Sequence, residues 1–328
     1  MRIFTDKHTD LKYLKNRKIL IIGFGNQGRA FALNLRDSGI AADVCLRPDS
    51  KSAETARKDG FEIITPAQID SDYNFFLLLI PDHIQPEFFE KYLRNTMPPQ
   101  STVLFAHGYS VHFKLLVPPE SSDVILLAPH GPGSDLRTKY LEGGGLTGFV
   151  AVQQDSSGTA LKQALAAARA VGISRAGAFR TTFEQETLGD LFGEQVLLCG
   201  GLAELVSKSF EVLVKNGIPP ENAYLETVQQ IDLLAGLIKQ HGIYGMSERI
   251  SQTAQYGMLK TSGRMIDKNT EKRMQKIFEE IKSGKFSADW QREYQNKLVN
   301  LKAYKQNLRK SELEKTARKF HKPDKTDE

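Results

Sequence analysis

A short apolar run followed at once by a glycine-rich turn is the feature that most constrains the fold of this chain. Residues 18–22 (Lys-Ile-Leu-Ile-Ile) are mostly apolar and β-branched, which is typical of a buried parallel strand. The next six residues, Gly23-Phe24-Gly25-Asn26-Gln27-Gly28, fit the pattern G-x-G-x-x-G. In such a turn Gly23 permits the tight bend, Gly25 lets the backbone approach a pyrophosphate, and Gly28 lets helix and strand pack closely. The sequence therefore predicts a dinucleotide site at a helix N-terminus.

Further strand patterns alternate with helical stretches through the first half of the chain. They lie at residues 44–46, 74–80, 102–106, 124–128 and 148–152, and the first helix is predicted over about 27–38. This alternation indicates an α/β fold with a Rossmann-type doubly wound sheet.

Strand signals stop at about Thr182, and helical periodicity continues from there. We therefore predict an N-terminal dinucleotide-binding domain at residues 1–181 and an all-helical C-terminal domain at residues 182–328. Within the second domain, a charged helix is predicted at 307–319 and a frayed end at 322–328.

The net charge of +5 is concentrated at one end of the chain. Residues 302–328 hold nine basic and five acidic residues, whereas the rest holds 35 basic and 34 acidic residues. This basic tail has no aromatic residues interleaved on a basic face, so we expect no nucleic-acid partner. The chain has no apolar run that could span a bilayer and no signal-peptide core, so a cytoplasmic protein without a membrane partner is expected.

The residues after the second predicted strand bear on the choice of dinucleotide. Many NAD sites carry an acid here, which binds the ribose 2′-hydroxyl. This chain has Arg47 instead, followed by Asp49, Ser50 and Ser52. Because guanidinium and hydroxyl groups suit a 2′-phosphate, the pattern favours NADPH over NADH. The role of Asp49 stays open, since it could face the phosphate or cap a helix.

Two carboxylates one helical turn apart form a candidate metal site. Asp190 and Glu194 share one face of a predicted helix, whose other faces are apolar. The apolar residues are Leu191, Val196, Leu197 and Leu198. Acids on a largely buried helix need compensation, and a hard cation supplies it. The alternative is an ordinary solvated face, which Glu186 one turn earlier would also fit.

Two further patterns add candidate site residues. Glu226 and Gln230 form a second i, i+4 pair on a predicted helix, where Gln230 offers a carbonyl oxygen but no charge. His107 follows the end of a predicted strand, which is where ligand-facing groups lie in open α/β sheets.

With these motifs, the sequence resembles ketol-acid reductoisomerase in its short single-knot form, over essentially the whole chain. The matching motifs lie at residues 23–28, 78–85, 105–109, 131–133, 181–183, 190–195, 198–201, 223–226 and 251–257. The resemblance implies NADPH contacts from Phe24, Gly25, Asn26, Gln27, Arg47, Ser50, Ser52, Asp82, His83, Ile84, Gln85 and Gly133. It also implies that His107 is the catalytic histidine and that Ser251 contacts the substrate. Asp190, Glu194 and Glu226 match the family's Mg²⁺ ligands.

The family reaction implied by this resemblance has two steps. An alkyl group migrates within a 2-hydroxy-2-methyl-3-oxo acid such as 2-acetolactate, and NADPH reduces the resulting 2-oxo acid to a 2,3-dihydroxy acid. Two Mg²⁺ ions normally assist the migration. A knotted helical domain and a homodimer are also implied, with one subunit lending its second helix pair to the other's site.

Two positions depart from the family pattern. His130 stands where the family has lysine, and Gln230 stands where it has glutamate. The second Mg²⁺ should bind more weakly, because affinity for oxygen ligands depends on their charge. His130 could replace the lysine in part, or it could be a loop histidine without a role. Three interpretations therefore stay open: a reductoisomerase, a diverged reductase of 2-oxo acids that lacks the isomerase step, and a non-catalytic NADPH-binding regulator.

Overall fold

The chain separates into two compact units. The computed structural model describes residues 1–321 of the 328. One unit spans Met1–Gly189, and the second begins at Asp190. The predicted frayed end at 322–328 lies outside the described residues.

The first unit is built on one mixed sheet, which confirms the predicted α/β class. In residues 1–321 the strands are β1 (Ile3–Phe4), β2 (Ile19–Ile22), β3 (Asp43–Cys45), β4 (Ile63–Ile64), β5 (Phe75–Leu78), β6 (Thr102–Phe105), β7 (Asp123–Pro129), β8 (Gly148–Gln154) and β9 (Ala178–Arg180). Their order is β1-β9-β8-β7-β6-β5-β2-β3-β4. The run from β4 to β7 is parallel, whereas β8 pairs antiparallel with β7 and β1 antiparallel with β9. The crevice between β2 and β5, where the order reverses, is the usual ligand site of such sheets.

Helices cover both faces of this sheet. They are α1 (Lys12–Lys15), α2 (Asn26–Asp37), α3 (Ala53–Lys58), α4 (Gln85–Phe88), α5 (Tyr109–His112), α6 (Gly133–Leu141), α7 (Ala160–Ala170), α8 (Ile173–Ala176) and α9 (Phe183–Gly193). Strand β2 shows why its sequence is continuously apolar. Ile19 and Ile21 pack into the core on one face, and Leu20 and Ile22 pack into a separate core on the other. A strand buried on both faces leaves no position for a polar side chain.

The second unit is helical throughout its described part. It contains α10 (Gly200–Lys215), α11 (Pro220–Thr227), α12 (Ile231–Ser247), α13 (Gln252–Thr261), α14 (Lys268–Lys282), α15 (Lys285–Gln295), α16 (Val299–Lys310) and α17 (Glu312–Ala317). The prediction of one helix over 307–319 is wrong. Ser311 separates α16 from α17, because its hydroxyl caps α17 by accepting a hydrogen bond from the Glu314 amide at 3.2 Å. The knot stays a prediction.

None of the helices within residues 1–321 combines the length and the apolarity that crossing a bilayer requires.

Candidate active site

The three glycines of the glycine turn have different surroundings, which show why each position is glycine. Gly23 has a φ of +101°, and a Cβ there would lie 2.7 Å from the Leu79 carbonyl oxygen. A Cβ on Gly28 would lie 2.2 Å from the Gly23 carbonyl oxygen. At Gly25, by contrast, a Cβ would meet no atom within 4 Å. The first and last glycines are therefore needed by the fold itself, whereas Gly25 borders open space that a ligand can enter.

The loop after β7 is fastened to this turn. The Gln27 side-chain amide donates to the Gly131 carbonyl at 2.9 Å, and the Ser134 amide donates to the Asn26 side-chain oxygen at 3.0 Å. A Cβ on Gly133 would lie 2.0 Å from the Asn26 carbonyl oxygen, so only glycine fits there. Asn26, Gln27 and Gly133, which the resemblance names together, thus lie together. A cavity of about 390 Å³ adjoins them, bordered by Gly25, Asn26 and Gly133.

His107 and Asp82 form a pair at the carboxyl ends of neighbouring strands. His107 follows β6 and Asp82 follows β5, and the His107 Nδ1 lies 3.5 Å from the Asp82 Oδ2. The Gln85 side-chain amide donates to the Asp82 Oδ1 at 3.2 Å and to the Ile80 carbonyl at 2.9 Å. The sequence motifs name all three residues but do not reveal this chain of contacts. It orients the imidazole and places a carboxylate beside it.

Burial lowers the pKa of the neighbouring His83 below its ordinary value, although the Asp82 carboxylate acts in the opposite direction. His83 is therefore neutral near pH 7, and it can contact a cofactor without adding charge.

Glu186 lies beside the candidate site, although a solvated helix face was one interpretation of its position in the sequence. Its side chain is only 4% exposed, and its Oε2 accepts a hydrogen bond from the Gly108 amide at 2.8 Å. A Cβ on Gly108 would lie 2.5 Å from the Thr187 Oγ1, so α9 packs directly on the loop that follows His107. The solvated interpretation of Glu186 is wrong. No spacing rule could have revealed this contact, because the two residues are 78 positions apart.

The segment after β3 forms a compact turn. The Ser50 amide donates to the Arg47 carbonyl at 3.0 Å, and the Ser52 amide donates to the Ser50 hydroxyl at 3.3 Å. Asp49 faces Arg47, with the Arg47 Nε 3.8 Å from the Asp49 Oδ1 and both side chains largely exposed. Ser52, not Asp49, occupies the position before α3.

His130 lies at the carboxyl end of β7, next to the strand that precedes His107. Its Nδ1 lies 2.9 Å from the Thr147 hydroxyl, and its ring meets the Phe149 ring edge to face at 4.3 Å. These two contacts fix the imidazole against the loop and strand that follow. His130 therefore has a defined orientation, unlike a mobile loop side chain.

Asp190 and Glu194 straddle a change of helix type. α9 ends at Gly193, and residues Glu194–Leu198 form a π-helical turn before α10. Both carboxylates are exposed. Of the apolar residues predicted on the other faces, Leu191 is buried, but Leu197 and Leu198 are 65% and 64% exposed in the single chain. The predicted burial is therefore wrong for the π-helical turn. π-helical turns occur often at functional sites.

Two glycines explain why the π-helical turn forms here. A Cβ on Gly200 would lie 2.1 Å from the Gln195 carbonyl oxygen, and one on Gly201 would lie 1.9 Å from the Val196 carbonyl oxygen. In the wide π-helical turn these two carbonyl oxygens occupy the space that a Cβ at position 200 or 201 would need, so only glycine fits there.

Glu226 and Gln230 do not lie on one helix, so that prediction is wrong. α11 ends at Thr227 and α12 begins at Ile231. The two side chains nonetheless meet, since the Gln230 amide donates to the Glu226 Oε2 at 3.3 Å. Among the described residues, no three His, Cys, Asp or Glu side chains gather in a group that could hold a metal ion.

Ser251 begins α13, where its hydroxyl accepts a hydrogen bond from the Ala254 amide at 3.2 Å. Its backbone position is therefore fixed by the helix cap.

Known proteins match this chain over nearly its whole length. The family model described as acetohydroxy acid isomeroreductase, NADPH-binding domain, matches residues 13–177, and the one described as ketol-acid reductoisomerase, C-terminal domain, matches residues 183–323. The chain is 43% identical over 321 residues to a ketol-acid reductoisomerase (NADP(+)) of Pyrobaculum aerophilum, covering 98% of each. A relative of the same name from Saccharolobus solfataricus is 43% identical over 293 residues, or 89% of this chain and 88% of that protein. Among solved structures, an NADH-preferring ketol-acid reductoisomerase from an uncultured archean matches with a TM-score of 0.93 at 38% identity, covering 98% of each chain.

The sheet, its open glycine turn and these matches define a dinucleotide-dependent oxidoreductase. The chain belongs to the ketol-acid reductoisomerase family, and its N-terminal part is that family's NADPH-binding domain. An enzyme, and not a non-catalytic regulator, is therefore the interpretation that the comparisons support.

Proposed function

We propose that this chain converts 2-acetolactate-type acids to 2,3-dihydroxy acids in branched-chain amino-acid biosynthesis. The alkyl group on C2 of the 2-hydroxy-3-oxo acid moves to C3, and the resulting 2-oxo acid is then reduced at C2. The observation that carries this proposal is the His107–Asp82 pair at the carboxyl ends of β6 and β5. His107 would exchange a proton with the substrate, and Asp82 would hold the imidazole ring in place.

The glycine turn fits NADPH, because Gly25 adjoins open space and the N-terminus of α2 offers amide donors. NADPH supplies the hydride of the second step. Arg47, Ser50 and Ser52 would bind its 2′-phosphate, and Asp49 would compete with that phosphate for Arg47. A protein with the same fold is named for NADH preference, so the fold alone does not set the preference, and we assign it to this loop.

Cofactor preference is tested by the ratio of kcat/KM with NADPH to kcat/KM with NADH. Arg47→Ala should lower the ratio about tenfold or more, since hydrogen bonds to charged groups contribute about 1.5–3 kcal/mol. Asp49→Asn should raise it, because the competing carboxylate is gone. An unchanged ratio in both variants would mean that this turn does not bind the phosphate.

The carboxylates of Asp190, Glu194 and Glu226 suit a hard divalent cation, which prefers oxygen ligands. We infer that these residues hold Mg²⁺, with Gln230 orienting Glu226 through the observed contact. Bound Mg²⁺ would act as a Lewis acid on the adjacent substrate oxygens. In this proposal the chain presents the three carboxylates at helix ends. Asp190 lies in the last turn of α9, Glu194 directly follows α9, and Glu226 lies in the last turn of α11.

We further propose that two copies of the chain share each site. Large apolar side chains are exposed close to both acid pairs: Leu197, Leu198, Leu202, Leu205, Leu225, Leu233 and Leu234. So many exposed leucines in residues 197–234 are expected where a second subunit covers them. In the shared site, Asp190 and Glu194 of one subunit would face Glu226 of the other.

Complementation tests the shared site directly. Asp190→Asn and Glu226→Gln should each inactivate the homodimer. A mixed dimer of the two variants would contain one intact site and one doubly altered site. Random mixing should therefore restore about a quarter of the wild-type activity, because half of the dimers are mixed. If all the ligands come from one chain, mixing restores nothing.

Gln230 and His130 favour a second candidate function, a reductase of 2-oxo acids without the migration step. NADPH oxidation with 2-acetolactate, measured over a Mg²⁺ titration, decides between the two. Mg²⁺-dependent turnover supports the two-step reaction and shows that Gln230 suffices. Turnover of a 2-oxo acid alone supports the reductase, and Gln230→Glu with His130→Lys should then restore acetolactate turnover if a former isomerase activity has been lost.

A further inference from the structure

Helix α11, which carries Glu226, is short and depends on its buried face. It has eight residues, and isolated helices of this length are not stable in water. Ala223 and Tyr224 are buried against Phe210 of α10, whereas Glu226 is exposed in the last turn. Because helix ends fray first, the position of the Glu226 carboxylate depends on what holds Tyr224.

The end of the described chain also contacts Tyr224. The Phe320 ring stacks on the Tyr224 ring at 4.9 Å with an interplanar angle of 10°. The His321 Nε2 lies 3.0 Å from the Tyr224 hydroxyl. One turn earlier on α11, the Lys319 ammonium lies 2.5 Å from the Glu221 carboxylate.

These contacts differ in strength. The Lys319–Glu221 pair is about half exposed, so it adds little. The Phe320–Tyr224 stack is an aromatic contact on a buried ring, and the hydroxyl of the buried Tyr224 needs its hydrogen-bond partner. Leu313 and Ala317 of α17 pack into the same cluster, so the segment reaches α11 from a fixed base.

We propose that residues 319–321, here called the C-terminal clamp, are positioning residues for the metal site. The clamp contacts Tyr224 on the buried face of α11 and thereby fixes the direction in which Glu226 presents its carboxylate. This inference rests on the proposed role of Glu226 as a Mg²⁺ ligand. Residues that orient a ligand affect metal affinity although they never touch the metal.

The test compares Phe320→Ala/His321→Ala with wild type in the full-length protein. The Mg²⁺ concentration for half-maximal acetolactate turnover should rise about tenfold, the lower end of what such outer residues cost in affinity. The Mg²⁺-induced rise in Tm should shrink in parallel, and hydrogen exchange at the amides of residues 224–228 should accelerate. Phe320→Tyr/His321→Gln, which keeps a ring and a hydrogen-bonding group, should restore both Mg²⁺ readouts.

Two controls separate positioning from general destabilisation and from a wrong ligand assignment. Asp267→Ala removes the side-chain cap of α14, so it should lower Tm without changing the half-maximal Mg²⁺ concentration. The clamp proposal is overturned if Phe320→Ala/His321→Ala behaves like Asp267→Ala while Glu226→Gln weakens Mg²⁺ binding. If Glu226→Gln leaves Mg²⁺ binding unchanged, the ligand assignment itself fails and the clamp proposal fails with it.

Discussion

Glu186 offers a quantitative test of how α9 supports the loop after His107. Glu186→Ala removes the acceptor of the Gly108 amide from a position that is only 4% exposed. A hydrogen bond to a charged group contributes about 1.5–3 kcal/mol, and an amide left unpaired costs about 1–3 kcal/mol. These two ranges measure the loss of the same contact in different ways, so they are not added. We expect the free energy of unfolding to fall by about 2–3 kcal/mol.

The same substitution should slow catalysis. Displacing a reacting group by about 1 Å can cost roughly 100-fold in rate, so the loss of the Gly108 contact should lower kcat by about 10- to 100-fold. The KM for NADPH should change little, because the glycine turn is untouched.

Urea unfolding followed by circular dichroism measures the stability change, since the only tryptophan, Trp290, lies in the second unit. Glu184→Ala is the matched control, because Glu184 is exposed on the same helix. Glu186→Gln retains an acceptor oxygen and should fall between wild type and Glu186→Ala. The reasoning is refuted if Glu186→Ala stays within about 0.5 kcal/mol of wild type, which is the range of ordinary surface substitutions.

Three further predictions follow from the backbone and from burial. Gly23→Ala should lower Tm even without cofactor, because its φ is +101°, whereas Gly25→Ala should leave Tm unchanged and weaken NADPH binding in a fluorescence titration. Gly201→Ala should cost about 1–3 kcal/mol of stability and reduce the Mg²⁺-induced rise in Tm, while Gly236→Ala, which meets no atom within 4 Å, should do neither. Burial lowers the pKa of His112, although the Glu184 carboxylate acts in the opposite direction. As the pH falls below about 6.5, the unfolded chain therefore binds more protons at His112 than the folded chain does. The free energy of unfolding should therefore decrease on acidification through that range, and His112→Gln should flatten the profile in urea titrations at successive pH values.

The sequence predicts those strands whose burial is complete on both faces. β2 and β5 were expected at 18–22 and 74–80, and they lie at Ile19–Ile22 and Phe75–Leu78. Strands β1, β4 and β9 escape detection, because each has only two or three residues and at most one of them is buried. β3 is equally short, but two of its three residues are buried and apolar. The antiparallel direction of β8 is also invisible in the sequence, since it depends on how the chain returns to the sheet.

Candidate site residues are easier to name from the sequence than their contacts. The motifs name His107, Asp82 and Gln85, yet the pairing of the first two depends on the parallel alignment of β5 and β6. The break between Glu226 and Gln230 has no glycine or proline to announce it. It follows from tertiary packing, which overrides helix propensity.

The edges of the nine-stranded sheet have a consequence for how this protein avoids misassembly. The sheet ends on one side in β1 and on the other in β4, and each has only two residues. An edge this short presents few unpaired amides and carbonyls to a strand from another chain. The buried, strongly apolar strands β5, β6 and β7 lie inside the sheet, where each is paired with a strand on both sides. Edge-to-edge polymerisation is therefore blocked by strand length, and no charged gatekeeper residue is required at either rim.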